Sequence, residues 1–345
     1  MNDKLFYVCA MTPDDCSGGI FGYNLDGNGV PQQLFHQPYC GCNYLAYSVD
    51  RKVLYSTCMI QGRGGVAAFA IKSDGSLDLL NQLPSDGDSC CYVTAAPGGK
   101  YIYCANYFTS NIAEFRLKSD GSLDRMTRSV KFAGCGVVPR QDASHPHFTL
   151  FTPDGSKLIV IDLGLDAVKL FEFDPEKGLT DPENPYVFKV GPAGVGPRHL
   201  VFNSVGNTAY LINELGNTVC VLEYKQGEFR TLQQITTLPE DFHDFSKASA
   251  IRLSPDERFL FASNRGYDSV AVYRVLADGL LELQEIVSSG GVSPRDINFL
   301  PGGRHFAAAN EFSDNTVFFN YDPASGKLSA SGIELELPRP LAIYW

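Results

Sequence analysis

One pattern recurs six times along this chain, and it constrains the fold more than any other feature. The segments LAYSVDRKVLYSTC (45–58), VTAAPGGKYIYCAN (93–106), FTLFTPDGSKLIVID (148–162), LVFNSVGNTAYLIN (200–213), AIRLSPDERFLFASN (250–264) and INFLPGGRHFAAAN (297–310) each join an apolar strand, a polar turn and a second apolar strand. Their turn residues Val49, Pro97, Pro153, Ser204, Pro255 and Pro301 lie 48, 56, 51, 51 and 46 residues apart. That period belongs to β-propeller blades and kelch-like repeats, whereas helical solenoid repeats are shorter and lack strand alternation.

Most units continue into a third strand and a turn, as in NIAEFRLKSDGSL, AVKLFEFDPEKGL and SVAVYRVLADGLL. Alternating β-branched and aromatic residues followed by Asp-Gly read as a strand and hairpin. A seventh unit is split between the termini: KLFYVCAM and GIFGYNLDGNG supply its second and third strands, and PRPLAIYW matches the first strand seen in PRDINF. Closure by strands from both ends removes the open edge that an incomplete ring would expose. The expected fold is therefore all-β, a single seven-bladed β-propeller spanning 1–345, with the N- and C-terminal strands in one blade.

Bulk properties narrow the partners. A net charge of −11 argues against nucleic acid or an anionic membrane. The start MNDKLFYVCAM has no signal-peptide pattern, and no apolar run approaches the ~18 residues of a membrane helix, so a cytoplasmic protein is expected. The 10 cysteines sit mainly in strand-like runs such as IYCAN and TVCVL and read as reduced core residues. Cys40, Cys42, Cys90 and Cys91 stand apart, in CGC and an adjacent pair, but neither arrangement has zinc-finger spacing. No metal or organic cofactor is expected.

In a propeller the first strand of each blade lines a central channel, so equivalent positions converge. Six residues before the turn anchors stand Asn43, Cys91, His147, Arg198, Ser249 and Arg295, and matching PRPLAIYW to PRDINF adds Arg339. Ten residues after the anchors stand Met59, Tyr107, Leu163, Glu214, Arg265 and Glu311, at the returning end of the second strand. One mouth thus collects His147, Arg198, Arg265, Arg295, Arg339, Glu214 and Glu311, with Asn43 and Tyr107 on the same level. Arginine forks suit a carboxylate or phosphate, and His and Glu can move a proton near neutral pH, so the expected guest is a small anion. The architectural alternative is that each Arg of GVGPR and GVSPR braces the next blade through backbone carbonyls or Glu214 and Glu311. The asparagines Asn106, Asn213, Asn264 and Asn310 read as strand-end hydrogen-bonding groups.

The segments SHPHFTLFTPDG, GVGPRHLVFNSVGNTAYLINELGNTVCVLEY and SPDERFLFASNRGYDSVAVYRV resemble the lactonase family of seven-bladed propellers over essentially the whole chain. That family includes propeller-type 6-phosphogluconolactonases and carboxy-muconate cyclases. The resemblance implies catalytic roles for His147 in HPHF, Arg198 in GPRH, Glu214 in NEL and Arg265 in SNR; the repeat alignment adds Arg295, Arg339, Glu311, Asn43 and Tyr107 as expected binding residues. The resemblance also implies hydrolysis of 6-phosphogluconolactone, in the oxidative pentose phosphate route, with His147 or Glu214 as general base. Cyclisation of a carboxy-muconate uses the same residue types and stays open. A propeller that only binds a ligand or protein is the third reading, favoured if Arg–Glu pairs plug the mouth. The cysteine-rich CGCNY and SCCYV depart from both enzymatic branches.

Overall fold

The computed structural model describes residues 4–12 and 16–345; residues 1–3, part of the stretch read against a signal peptide, lie outside them. The architecture is that of a seven-bladed β-propeller, with seven antiparallel sheets and, among the described residues, no α-helix. The chain divides into two compact units, Met1–Ala10 with Phe21–Leu34 and Pro197–Trp345, and Met11–Ile20 with Phe35–Gly196.

The first unit carries four sheets. Pro197–Phe202, Thr208–Asn213, Thr218–Lys225 and Glu228–Thr236 form one, and Lys247–Leu253, Phe259–Arg265, Ser269–Val275 and Leu281–Ser288 the next. Pro294–Phe299, His305–Asn310, Asn315–Tyr321 and Leu328–Glu336 form the third. In the fourth, Pro340–Tyr344 pairs with Leu5–Ala10, which leads to Gly19–Leu25 and Pro31–Pro38. The termini share one blade, with Tyr7 opposite Tyr344 and Val8 opposite Ile343.

The second unit carries three sheets, Leu45–Tyr47 to Leu77–Gly87, Cys90–Ala95 to Leu123–Lys131, and Pro146–Phe151 to Tyr186–Lys189. Its SDG hairpins need a left-handed residue. At Gly121, φ is +81° and a Cβ would sit 2.6 Å from Val53 Cγ2, so only glycine fits without displacement.

Alternating apolar residues on adjacent sheets meet in shared cores. In the first unit Phe261 packs with Phe299, Phe306 and Tyr321, centroids 5.0–5.8 Å apart, and ties two blades together. Such aromatic pairs add about 0.5–1.5 kcal/mol each beyond the area they bury.

A second device sets the loops that lead into the first strands. Asp268 and Asp314 adopt the left-handed conformation (φ +50° and +54°) in the turn between second and third strands. Each carboxylate accepts the backbone N–H of the residue just before the next first strand, Ser293 at 2.8 Å and Arg339 at 2.8 Å. Asn217 does the same work by donating Nδ2–H to Ser246 O at 3.0 Å. In the second unit Asp166 accepts from Gly194 N and Gly196 N. Short Asp and Asn side chains tolerate this backbone region and can bond locally.

The cysteines are partly as expected. Cys9, Cys42, Cys58, Cys90, Cys104 and Cys220 are buried free thiols, Cys91 is half-buried and Cys135 exposed. Cys40 differs from a reduced residue, because it is disulfide-bonded to Cys16 with Cα atoms 4.6 Å apart. Such bonds persist in oxidising compartments, so this pair lends no support to a cytoplasmic setting. Among the described residues no helix is long and apolar enough to cross a membrane, and no group of three or more His, Cys, Asp or Glu is arranged to hold a metal.

Phe306 is fully buried at the centre of its aromatic cluster. Phe306→Ala is expected to cost about 3–5 kcal/mol of unfolding free energy, measured by denaturant titration.

Candidate functional site: an arginine-rich cluster at the strand ends

The repeat positions singled out in the sequence share one backbone feature. Except in the blade that begins with Leu45–Tyr47, whose register is regular, the pairing of first and second strands contains an extra residue, a β-bulge. Arg198 lies between the pairs Pro197↔Asn213 and His199↔Ile212, and Arg295 between Pro294↔Asn310 and Asp296↔Ala309. Ser249 falls in the same irregularity of its blade. In the second unit Cys91 and His147 occupy the bulges. A bulge bends the strand and re-aims the extra side chain, which takes these residues out of the alternating core pattern.

Arg339 does not belong to that set. Pro340 pairs with Ala10 and Ala342 with Cys9, so the bulged residue is Leu341. Arg339 (φ +44°) is instead the counterpart of Ser293 (φ +64°), two residues earlier, and each donates its N–H to the preceding turn aspartate. The match of PRPLAIYW to PRDINF is thus corrected by two residues: Pro340 aligns with Pro294.

Within the first unit six of the expected side chains meet. Arg198 Nε–H donates to Glu214 Oε2 at 3.1 Å, and Arg265 Nη2 reaches the same oxygen at 2.8 Å. Arg339 Nη2 donates to Glu311 Oε1 at 2.7 Å, and Arg295 Nη1 lies 3.5 Å from Oε2. Four guanidiniums thus face two carboxylates. Side-chain exposure rises from 3% at Arg198 through 15% at Arg265 and 23% at Arg295 to 33% at Arg339, so the last three are the ones a solute can reach. Arg265 Nε and Arg339 Nε are buried and have no hydrogen-bond partner.

Bracing is also present. Arg198 Nη1 donates to Ser249 O at 2.9 Å in the next blade and lies 3.1 Å from His199 Nε2. Ser249 Oγ–H donates in turn to Arg295 O at 2.7 Å, linking the two arginine bulges. Beneath them, buried Asp296 accepts from Arg252 Nη2 at 2.8 Å and from Ile343 N at 2.9 Å on the terminal strand. The sequence did not mark His199, Ser249, Arg252 or Asp296 as site residues. Ser249's place in the arginine column was the one available signal.

The electrostatics register the charge excess. Burial first, and then repulsion from Arg265 and Arg295, push Arg198 down to about 9 against the attraction of Glu214. Burial pushes the Glu311 carboxyl up, but Arg295, Arg339 and Arg265 outweigh it and hold the group below its ordinary value. Asp296 is raised, because burial exceeds the stabilisation from Arg252 and two backbone N–H groups. Glu311 is therefore an ionised counter-charge rather than a proton acceptor.

The remaining expected residues lie in the second unit. His147 is buried, with its ring 5.7 Å from that of Tyr107 and nearly perpendicular to it. Tyr107 stacks on His145 at 4.3 Å and carries the Arg140 guanidinium at 5.0 Å. Asn43 donates Nδ2–H to Cys90 O at 2.8 Å, a tie to the neighbouring first strand. Strand-end bonding accounts for the asparagines: Asn106 Nδ2 donates to Ser85 O, Asn264 Nδ2 to Thr237 O and Asn310 Nδ2 to Ser289 O.

Comparison with known proteins identifies the family. A family model described as lactonase, seven-bladed β-propeller matches residues 7–345. A 6-phosphogluconolactonase of Bacillus subtilis (strain 168) is 34% identical over 336 residues, 95% of this chain and 94% of that protein. A solved structure of a Lactobacillus plantarum protein superposes with a TM-score of 0.91 at 33% identity, over 99% of this chain and 98% of that one. A periplasmic gluconolactonase of Pseudomonas aeruginosa does so with a TM-score of 0.91 at 30% identity, over 99% and 98%.

Glu214 holds two guanidiniums at a depth where water cannot replace it. Glu214→Gln is expected to lower stability by about 3 kcal/mol, because buried cations lose their counter-charge. Chemical denaturation of the two proteins at pH 7 measures the difference.

Proposed function

Because this chain belongs to the lactonase family of seven-bladed β-propellers, we propose that it hydrolyses a small anionic sugar lactone, 6-phosphogluconolactone, to the open acid. The observation that carries this reading is the unbalanced cluster of four guanidiniums against two carboxylates, in which Arg265, Arg295 and Arg339 keep part of their side chains exposed. Internal pairing of Arg and Glu is present but leaves an excess of positive charge for an anion to meet.

Roles follow from depth. Arg265, Arg295 and Arg339, the more exposed, hold the phosphate. Arg265, which a solute can reach, also donates to the lactone carbonyl oxygen, and Arg198, fixed behind it by Glu214 and Ser249 O, adds its positive charge. Water adds to C1, negative charge gathers on that oxygen, and a guanidinium already in place stabilises it without reorganising. Collapse breaks the bond from C1 to the ring oxygen, which leaves as the hydroxyl after taking a proton. The proton of the attacking water goes to a general base, and Glu214 is one of the two candidates, although two guanidiniums already hold its carboxylate. His147 is the other base suggested by the repeat alignment, and His147→Ala tests it in the same assay. Sugar lactones open spontaneously, so the acceleration required of the site is modest.

With freshly generated 6-phosphogluconolactone, wild-type protein is expected to exceed the spontaneous rate, and Arg265→Ala to lower kcat/KM by about 10²-fold with little change in melting temperature. A wild-type rate equal to the spontaneous one overturns this reading.

A further inference from the structure

Phe312 follows Glu311 directly and is 65% exposed, although it sits on a tightly held turn. Its N–H donates to Val292 O at 3.0 Å, Glu311 N–H donates to Ser293 O at 2.9 Å, and Val292 N–H donates to Ser313 Oγ at 2.8 Å. The ring is thus carried on a backbone locked to the loop that leads into Arg295. In the preceding blade the equivalent position, two residues before the turn aspartate, is Gly266. The companion of Phe312 is a charge: the Arg339 guanidinium lies 5.7 Å from its ring centroid while Nη2 bonds to Glu311.

Arg339 itself is held in an unusual way. Its φ of +44° is a left-handed conformation that a long side chain rarely adopts, at a position filled by Ser293 in the neighbouring blade. The Asp314 carboxylate fixes the conformation by accepting Arg339 N–H at 2.8 Å. Strained backbone that the surroundings over-determine is a feature of ligand-binding positions. The strain here delivers one particular side chain beside an exposed aromatic ring, with a buried Nε–H still unpartnered.

We infer that Phe312 and Arg339 form a platform that recognises the ring of the ligand, so that this site selects cyclic anionic sugars over the bare anion. The inference rests on the proposed lactone reading for the anion's place, and it adds the residue that reads the uncharged body. A pyranose ring presents C–H groups on one face, which pack against the face of Phe312. The hydroxyl or ring oxygen at its edge accepts from Arg339. Phe312 is then a specificity residue that contacts substrate, and Asp314 is a positioning residue that acts through Arg339.

Calorimetric titration with two probes tests this without any turnover: inorganic phosphate, and glucose 6-phosphate, which carries a phosphorylated pyranose but no lactone carbonyl. Wild-type protein is expected to bind glucose 6-phosphate about tenfold more tightly than phosphate, a gap of about 1.4 kcal/mol. Phe312→Ala should bring the two affinities within about twofold of each other by weakening the sugar alone, and Phe312→Trp should preserve the gap, since any aromatic face offers the same packing. Arg339→Gly should also narrow the gap while leaving the melting temperature equal or higher, because glycine adopts this backbone conformation freely. Wild-type protein that binds neither probe, or both alike, overturns the platform, as does a gap that survives in Phe312→Ala. The expected gap in a protein with no lactone turnover would sink the reaction and leave the platform standing. Turnover without a gap would do the reverse.

Discussion

The pairing of Leu5–Ala10 with Pro340–Tyr344 is the constraint on which the first unit depends. It turns two chain ends into neighbouring strands of one sheet, and the outer edge of the terminal strand is met at Ile343 by the Asp296 and Asn298 side chains. It also supplies the site. Arg339 arrives at Glu311 because Pro340 starts the closing strand, and Ile343 N satisfies the buried Asp296 carboxylate beneath Arg198 and Arg295. Closure and the charged cluster are therefore coupled by two hydrogen bonds rather than built separately.

The cluster is costly to build. Guanidiniums removed from water need counter-charge and hydrogen bonds, and here two glutamates each serve two arginines. The deepest, Arg198, is satisfied by a carboxylate and a backbone carbonyl, and still feels burial and like charge strongly enough to lower its proton affinity. The architectural reading holds for Arg198, which braces a neighbouring blade, while Arg265, Arg295 and Arg339 keep part of their side chains facing solvent.

Local devices place these groups. The bulge turns Arg198 and Arg295 out of the core alternation, and the left-handed aspartates clamp the loops just before them. The aspartates are short and polar, and they leave little mark on hydrophobic periodicity. Ser249 shows the limit of periodicity most clearly. Its position in the arginine column marks it as equivalent, yet its role is to receive Arg198 on its carbonyl and hold Arg295 with its hydroxyl.

The sequence by itself determined the all-β class, the repeated blades, the sharing of one blade by the two termini, and the residue types that form the cluster. These follow from strand alternation and turn spacing, which are local and repeat with the backbone ladder. Tertiary structure decided which arginine meets which glutamate, the two-residue shift of Arg339 against Arg295, the bond between Cys16 and Cys40, and the company of Phe312. Those depend on distances between residues far apart in the chain and on the direction a bulge gives a side chain, and neither is written in a period of about fifty residues.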